Sequence, residues 1–484
     1  MDYSNESTPL IASREDAVLP RHPSRRPFPR VQFGIIIMLL FSEPMAYCII
    51  FPFLPQLVTD LGLTKGNPAS TGYYVGIFES LFFVTQGISI FQWGRLSDRI
   101  GRRPVLTIGV LGLAASMFSF GLSTTFLGFI LSRAIAGLLN GNSAVTKTMM
   151  GEITNDSNRA RAFSMIPVTW TMGATLAPLI GGALQHPAER FPHLFGGIQF
   201  FITYPYFLPC AVGGTVSVLT WIVCIFCLKE SNPVFVRKRT CASLEGSEPT
   251  QSARGIRSSM REIMVRPVLV SILNYGILAN IHIAYYAVLS VFFAVPLSSH
   301  GLGLSPPIIG LAFSALGLVS GVSQVLWFPM LYRRLGGRRL FMCALLATWP
   351  LYAMMSIMHM IAVSSVERYG KMSNWVWVAL AVMISCSAIL DMGFSTIFMF
   401  VTAASPSPAL LGTTNGAAQT LVSFGRVVGP LASTTLFSYS VEQKWAPGGY
   451  GGFLVLSSLT LVALGCASLL PTTPADWKQR AQAE

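Results

Sequence analysis

Long apolar runs, cut by short polar segments, leave this chain few folds to choose from. A helix crosses bilayer hydrocarbon in about 20 residues. Runs of that order lie near 32–57, 72–94, 104–122, 126–147, 163–184 and 204–228. A second set follows near 268–295, 307–331, 340–361, 375–402, 411–438 and 452–470. Composition agrees: of 484 residues, 52% are hydrophobic and only 11% charged. A soluble chain carries about 25% charged residues, so this one lacks a polar surface to face water all round. The expected fold is an all-α polytopic membrane protein with twelve spans.

Charge placement orients it. Of the 33 Lys and Arg, twenty-six fall in the tails and loops that share a side with the N-terminus, and five in the opposite loops. Basic loops stay in the cytosol, so both termini are expected there. The net charge of +13 is thereby a topology signal, and no nucleic-acid partner is expected. Residues 1–30 hold no hydrophobic signal core. The expected organisation is a cytosolic tail (1–31), a six-helix bundle (32–228), a cytosolic linker (229–266), a second six-helix bundle (267–470) and a cytosolic tail (471–484).

The halves look related. Arg99, Arg102 and Arg103 follow span two, as Arg333, Arg334, Arg338 and Arg339 follow span eight. Gly173-x-x-x-Ala177-Pro178 in span five parallels Gly425-x-x-x-Gly429-Pro430 in span eleven. Span n therefore maps onto span n+6. A parallel repeat with a site at its interface is a common transporter plan.

After span two the chain reads Gly94-Arg95-Leu96-Ser97-Asp98-Arg99-Ile100-Gly101-Arg102-Arg103-Pro104. The reading is a tight turn, with Gly94 and Gly101 allowing close approach and unusual dihedrals. Asp98 is placed to face a helix N-terminus, and the arginines to pair with carboxylates or lipid phosphates. This string resembles the signature loop of the major facilitator superfamily. Arg133-x-x-x-Gly137 resembles that family's fourth-helix motif, and Glu152 with Arg159 and Arg161 its loop between helices four and five. Gly173-x-x-x-Ala177-Pro178-x-x-Gly181-Gly182 resembles the fifth-helix motif of its proton-coupled antiporters, with Ala177 where Gly is usual. Ser42-Glu43-Pro44 and Leu411-Gly412-Thr413-Thr414-Asn415-Gly416 look most like the fungal drug/proton antiporter branch, which is similar to plant zinc-induced facilitator-like carriers. The resemblance implies alternating access, with helices two and eleven, and five and eight, forming the faces that open and close. It also puts Asp98 in a charge network that stabilises the outward-facing state.

Charges inside a span cost at least about 2.5–3.5 kcal/mol, so each is a candidate for proton coupling. Glu43 stands about eleven residues into span one, about 16 Å deep at 1.5 Å per residue, and is the leading candidate to carry a proton. Arg133 in span four is the second, as a cation acting on Glu43. Glu79 and Arg133 lie at similar depth and are read either as a structural ion pair or as coupling groups. Asp391 and Arg426 are read the same way. His282, mid-span, is either a satisfied core imidazole or a proton relay; His359 is read as interfacial. Phe53, Trp170, Tyr285 and Tyr286 are candidate pocket residues, with lipid-facing bulk as the alternative.

The expected function is proton-coupled export of a small organic compound. Proton-coupled uptake of a nutrient or metal chelate and a non-transporting receptor are the alternatives. The chain holds no His-Glu-x-x-His, no Ser/His/Asp spacing and no nucleotide-binding loop, so neither an enzyme nor a cofactor is expected. No metal site is expected either. Cys224-x-x-Cys227 lies in an apolar run without nearby ligands and reads as lipid-phase thiols. Expected partners are the lipid bilayer, protons and one small-molecule substrate, with the protein monomeric. Glu6-Ser-Thr-Pro-Leu10-Ile11 resembles an acidic dileucine sorting signal, leaving the plasma membrane or a vacuolar membrane as the address. Sequons at Asn5 and Asn155 fall on the cytosolic side and are expected to stay unglycosylated.

Overall fold

The computed structural model describes residues 29–154, 156–232, 262–406, 411–445, 450–473 and 476; the side chains of 156–161, 163, 164 and 411–413 are not among them. The dileucine-like stretch, both sequon asparagines, most of the linker and most of the C-terminal tail lie outside the described residues, as do the side chains of Arg159 and Arg161.

Every described element is helical. Eight helices are long and apolar enough to cross a bilayer: Arg30–Cys48, Pro68–Ile100, Arg102–Gly121, Phe207–Cys227, Arg266–Ala294, Pro306–Leu326, Gly337–Tyr369 and Asn374–Ala404. They supply spans one, two, three, six, seven, eight, nine and ten. The other four passages are more polar or shorter. Span four is two helices, Phe126–Leu139 and Asn142–Ile153; span five is Asp156–Leu184, span eleven Leu411–Glu442, and span twelve Gly451–Ala467. Span five, span eleven and the second helix of span four are rich in Ser, Thr and Gly, while one face of each of spans four, five and eleven exposes large apolar side chains such as Leu131, Leu176 and Val428.

Three expectations change. The Gly94–Pro104 string is no extended turn: helix continues through Ile100, Gly101 alone breaks it at φ 103°, and helix resumes at Arg102. Gly94 is helical and has no close neighbour, so only Gly101 needs glycine's freedom. Second, the carboxylate at the following helix N-terminus is Glu230, not Asp98. Glu230 accepts the backbone N–H of Arg102 at 2.8 Å and of Arg103 at 3.0 Å, meeting the unsatisfied donors of a helix start. Third, span four does not run unbroken to 147; it breaks at Asn140–Gly141.

The repeat is visible in the packing. Gly173 lies where a Cβ would meet Pro44 Cγ at 2.6 Å, bringing span five onto span one. Gly429, its partner motif's second small residue, meets Asn280 in the same way, bringing span eleven onto span seven. Gly336, with φ 76°, repeats the Gly101 break one half later.

The halves meet through spans two and eleven and through spans five and eight. Their closest approaches lie at the end away from Gly101. A Cβ on Gly72 would reach Ser438 Oγ at 2.4 Å, and one on Gly182 the Pro306 carbonyl at 2.3 Å. At the same end Glu442 accepts hydrogen bonds from Asn67 Nδ2 and Tyr73 Oη, both 2.9 Å, tying span eleven to the opening of span two.

Candidate transport cavity

Between the halves lies a cavity with about 1220 Å³ of empty space, its mouth included. Its wall combines aromatic rings with few charges: Glu43 from span one, Lys147 from span four, His282 from span seven, Asp391 from span ten and Arg426 from span eleven. Trp170 and Tyr286 line it as well.

Local structure explains how Glu43 is held. The break that ends the first helix of span four turns the Asn140 side chain inward, and its Nδ2 donates to Glu43 Oε1 at 3.1 Å. Glu43 also borders a second, smaller cavity lined by Ser116, Ser132, Arg133 and Asn140. One carboxylate therefore stands in the wall between two spaces. A group so placed can exchange a proton with either.

Arg133 borders the smaller cavity together with Glu43. It is 3% exposed, with its guanidinium 5.6 Å from the Tyr47 ring centre and 5.1 Å from that of Phe82, and its Nε and Nη2 lack hydrogen-bond partners. The cations that share the central cavity with Glu43 are Lys147 and Arg426. Lys147 donates to Gln419 Oε1 at 2.7 Å across the two halves and lies 5.9 Å from the Phe398 ring centre. Counted from the sequence as a loop cation, it is a cavity residue, and the Asn140-Gly141-Asn142 breaker signal was the clue to its real setting.

The two expected ion pairs do not form. Both carboxylate oxygens of buried Glu79 lack a hydrogen-bond partner and Glu79 lines neither cavity. Asp391 turns to His282, whose Nε2 lies 2.9 Å from Asp391 Oδ1, while Ser320 donates to its other oxygen. Arg426 instead lies with its guanidinium 5.7 Å from the Phe83 ring centre. Phe53 and Tyr285 are fully buried and do not line the cavity: Phe53 stacks on Tyr206 and Tyr285 packs edge-on against Tyr286 and Tyr352. His359, expected at the interface, is buried between Tyr450 Oη at 2.7 Å and the Leu297 carbonyl at 3.0 Å.

The signature segment forms a compact network. Arg102 reaches Asp98 at 2.5 Å, Ser97 at 2.7 Å and Glu152 at 2.9 Å; Ser231 donates to the other Glu152 oxygen at 2.5 Å, and Arg103 donates to the Ile225 carbonyl. Arg99 is exposed. Among the described residues the partners named here lie between residues 97 and 232, so in this conformation the network braces the first half. In span five, Gly181 abuts the Ile49 carbonyl and Gly182 abuts Gly310, while the Pro178 carbonyl lies where a Cβ on Gly310 would meet it at 2.4 Å. Ala177 is fully buried. Among the described residues, no group of three or more His, Cys, Asp or Glu could hold a metal.

Such a helical assembly, with a charged cavity between related halves, defines a membrane transporter. The chain belongs to the Major Facilitator Superfamily, whose family model matches residues 36–430. It is therefore a secondary transporter and not an enzyme. It is 30% identical to "Efflux pump azaK" of Aspergillus niger over 97% of this chain and 95% of that protein. It is 28% identical to "Major facilitator-type transporter psiT2" of Psilocybe cyanescens, covering 90% and 89%, and 26% identical to "Protein ZINC INDUCED FACILITATOR 1" of Arabidopsis thaliana, covering 91% of each. Among solved structures, a D-xylose-proton symporter superposes with a TM-score of 0.67 at 15% identity, covering 92% of this chain and 99% of that one.

Proposed function

We propose that this protein is a proton-coupled antiporter that exports a small organic compound by alternating access, with Glu43 as the proton-carrying group. The observation that carries this reading is Glu43 itself, a carboxylate deep in span one that borders both the central cavity and the Arg133 cavity. An ionisable group inside a membrane marks a pathway, and one open to two spaces can be loaded from one and emptied into the other. The efflux pump among its relatives supports the direction, and the aromatic wall of the cavity supports an organic substrate. With the Lys/Arg-rich loops in the cytosol, the tight Gly72 and Gly182 contacts close the outer end and the cavity belongs to an inward-facing state. The network around Asp98 is then disengaged from the second half and re-engages it when the cytosolic end closes.

Ala177, in a position where the antiporter motif usually has Gly, favours proton-coupled uptake as the second reading. An imposed pH gradient separates the two. In proteoliposomes of defined orientation, an antiporter accumulates tracer in the compartment with more protons, and a protonophore collapses the gradient. Accumulation in the proton-poor compartment would establish symport, and accumulation insensitive to the protonophore would remove proton coupling altogether.

A further inference from the structure

The cavity's charges are divided between its walls. Glu43, Lys147 and Arg426 line the same cavity, and Lys147 is tied to Gln419. Asp391 stands apart from them, bonded to His282 and Ser320. The Asp391 and His282 side chains remain 14% and 16% exposed, so both are reachable from the cavity they line. Gln324 Nε2 donates to the Asp391 backbone carbonyl at 2.9 Å and Gln324 Oε1 accepts from the Ser395 hydroxyl at 2.5 Å, holding this stretch of span ten against span eight. Aromatic rings surround the pair. The Tyr286 ring lies 4.5 Å from the His282 ring, tilted by 32°, and the Phe394 ring lies 5.0 Å from it, nearly perpendicular. Tyr275 stands edge-on to Phe394 at 6.3 Å.

A carboxylate beside several ring faces suits an organic cation, because the ring quadrupoles and the carboxylate attract the same sign of charge. We propose that Asp391, flanked by His282, Tyr286 and Phe394, receives the basic nitrogen of a cationic, aromatic or alicyclic substrate. This rests on the transport reading above and adds the substrate class and its recognition residue. His282 Nε2, 2.9 Å from Asp391 Oδ1, shows that this carboxylate oxygen takes an N–H partner from the cavity side, the contact a substrate ammonium would make. The other charged and titratable groups lining the cavity are Glu43, Tyr47 and Cys48 on span one, Lys147, Arg426, and Tyr275 and Tyr286 on span seven; Tyr285 packs behind Tyr286. The two cations across the cavity discourage a second positive charge on the substrate, so a monocation is the class selected.

The test uses the purified full-length protein and three size-matched xanthene dyes: cationic rhodamine 6G, zwitterionic rhodamine B and anionic fluorescein. Binding is read by fluorescence anisotropy, and proton flux is measured in parallel in proteoliposomes. Wild type is expected to bind rhodamine 6G in preference to fluorescein. Asp391→Asn should weaken rhodamine 6G by about thirtyfold or more, as loss of one partner of a desolvated charge pair does. Asp391→Glu should restore most of that binding, which separates charge recognition from a folding defect. Preference for fluorescein, no binding of rhodamine 6G, or rhodamine 6G binding that survives Asp391→Asn would each overturn the proposal. Proton flux that depends on Glu43 alongside any of those results would leave the coupling reading standing while the cation site falls.

Discussion

At the residue scale, the side chains that matter are those whose partners come from other helices. Asn140 reaches Glu43 across 97 residues of sequence and His282 reaches Asp391 across 109. Outside the membrane spans, His186 shows how a single partner sets behaviour. Burial disfavours the imidazolium, but the Asp60 hydrogen bond at 3.1 Å and the charges of Asp60 and Glu189 together outweigh it, so its pKa is raised above the usual 6.5. Tyr206 donates to the same Asp60 oxygen. A raised folded pKa means that the pair's stabilisation is fully present below about pH 6.5 and is lost as pH rises through the folded value. Hydrogen exchange in segment 186–206, corrected for intrinsic rates, should therefore show more protection at pH 6 than at pH 8.5. His186→Gln should flatten that difference; an unchanged pH profile in the variant would remove His186 from the clamp.

At the element scale, helix contacts rest on small residues at defined positions. Gly182 and Gly310 let spans five and eight touch backbone to backbone, with 3.1 Å between a Cβ built on Gly182 and Gly310 Cα. Gly182→Val forces the helices apart at the closed end. Overpacking of this kind costs about 1–3 kcal/mol, charged here to one conformation only, so the variant should shift the protein toward the state open at that end. Cysteine-accessibility labelling at Thr175, which packs on Gly317 deeper in the same seam, should rise several-fold. Unaltered labelling would show that the seam does not part during transport.

The helices themselves were legible from apolar runs, and the repeat from the paired Gly-x-x-x-small-Pro motifs, because both are written in periodicity. Depth within a span was legible too, since it follows from counting residues. Azimuth was not. Glu79 and Arg133 share a depth yet stop short of an ion pair, with both Glu79 oxygens lacking a hydrogen-bond partner, and Asp391 turns toward span seven and not toward Arg426. The apolar background that marks a span carries little information about which side faces the cavity, so pairing between helices stays hidden. Glu230 was invisible for a related reason: its hydrogen bonds to Arg102 and Arg103 join segments 128 and 127 residues apart. Lys147 was misplaced because an apolar window smooths over the break at Asn140-Gly141, although that dipeptide carries the signal.

At the scale of the whole molecule, two helical halves close on each other at one end and surround a cavity whose ionisable groups have separate surroundings. Glu43 sits between two spaces and shares the larger with two cations, and the His282–Asp391 pair sits among aromatic rings. On the proposed mechanism, the seams at spans two and eleven and at five and eight open as the network around Arg102 engages the other half. In this account the proton carried by Glu43 drives that exchange. The direct test reconstitutes wild type and Glu43→Gln in liposomes with a trapped pH dye, adds a panel of organic cations, and follows substrate-triggered proton flux beside tracer movement. The account predicts flux in wild type and its loss in Glu43→Gln at equal reconstitution. Equal flux in both proteins, or tracer movement with no proton flux in wild type, would contradict it.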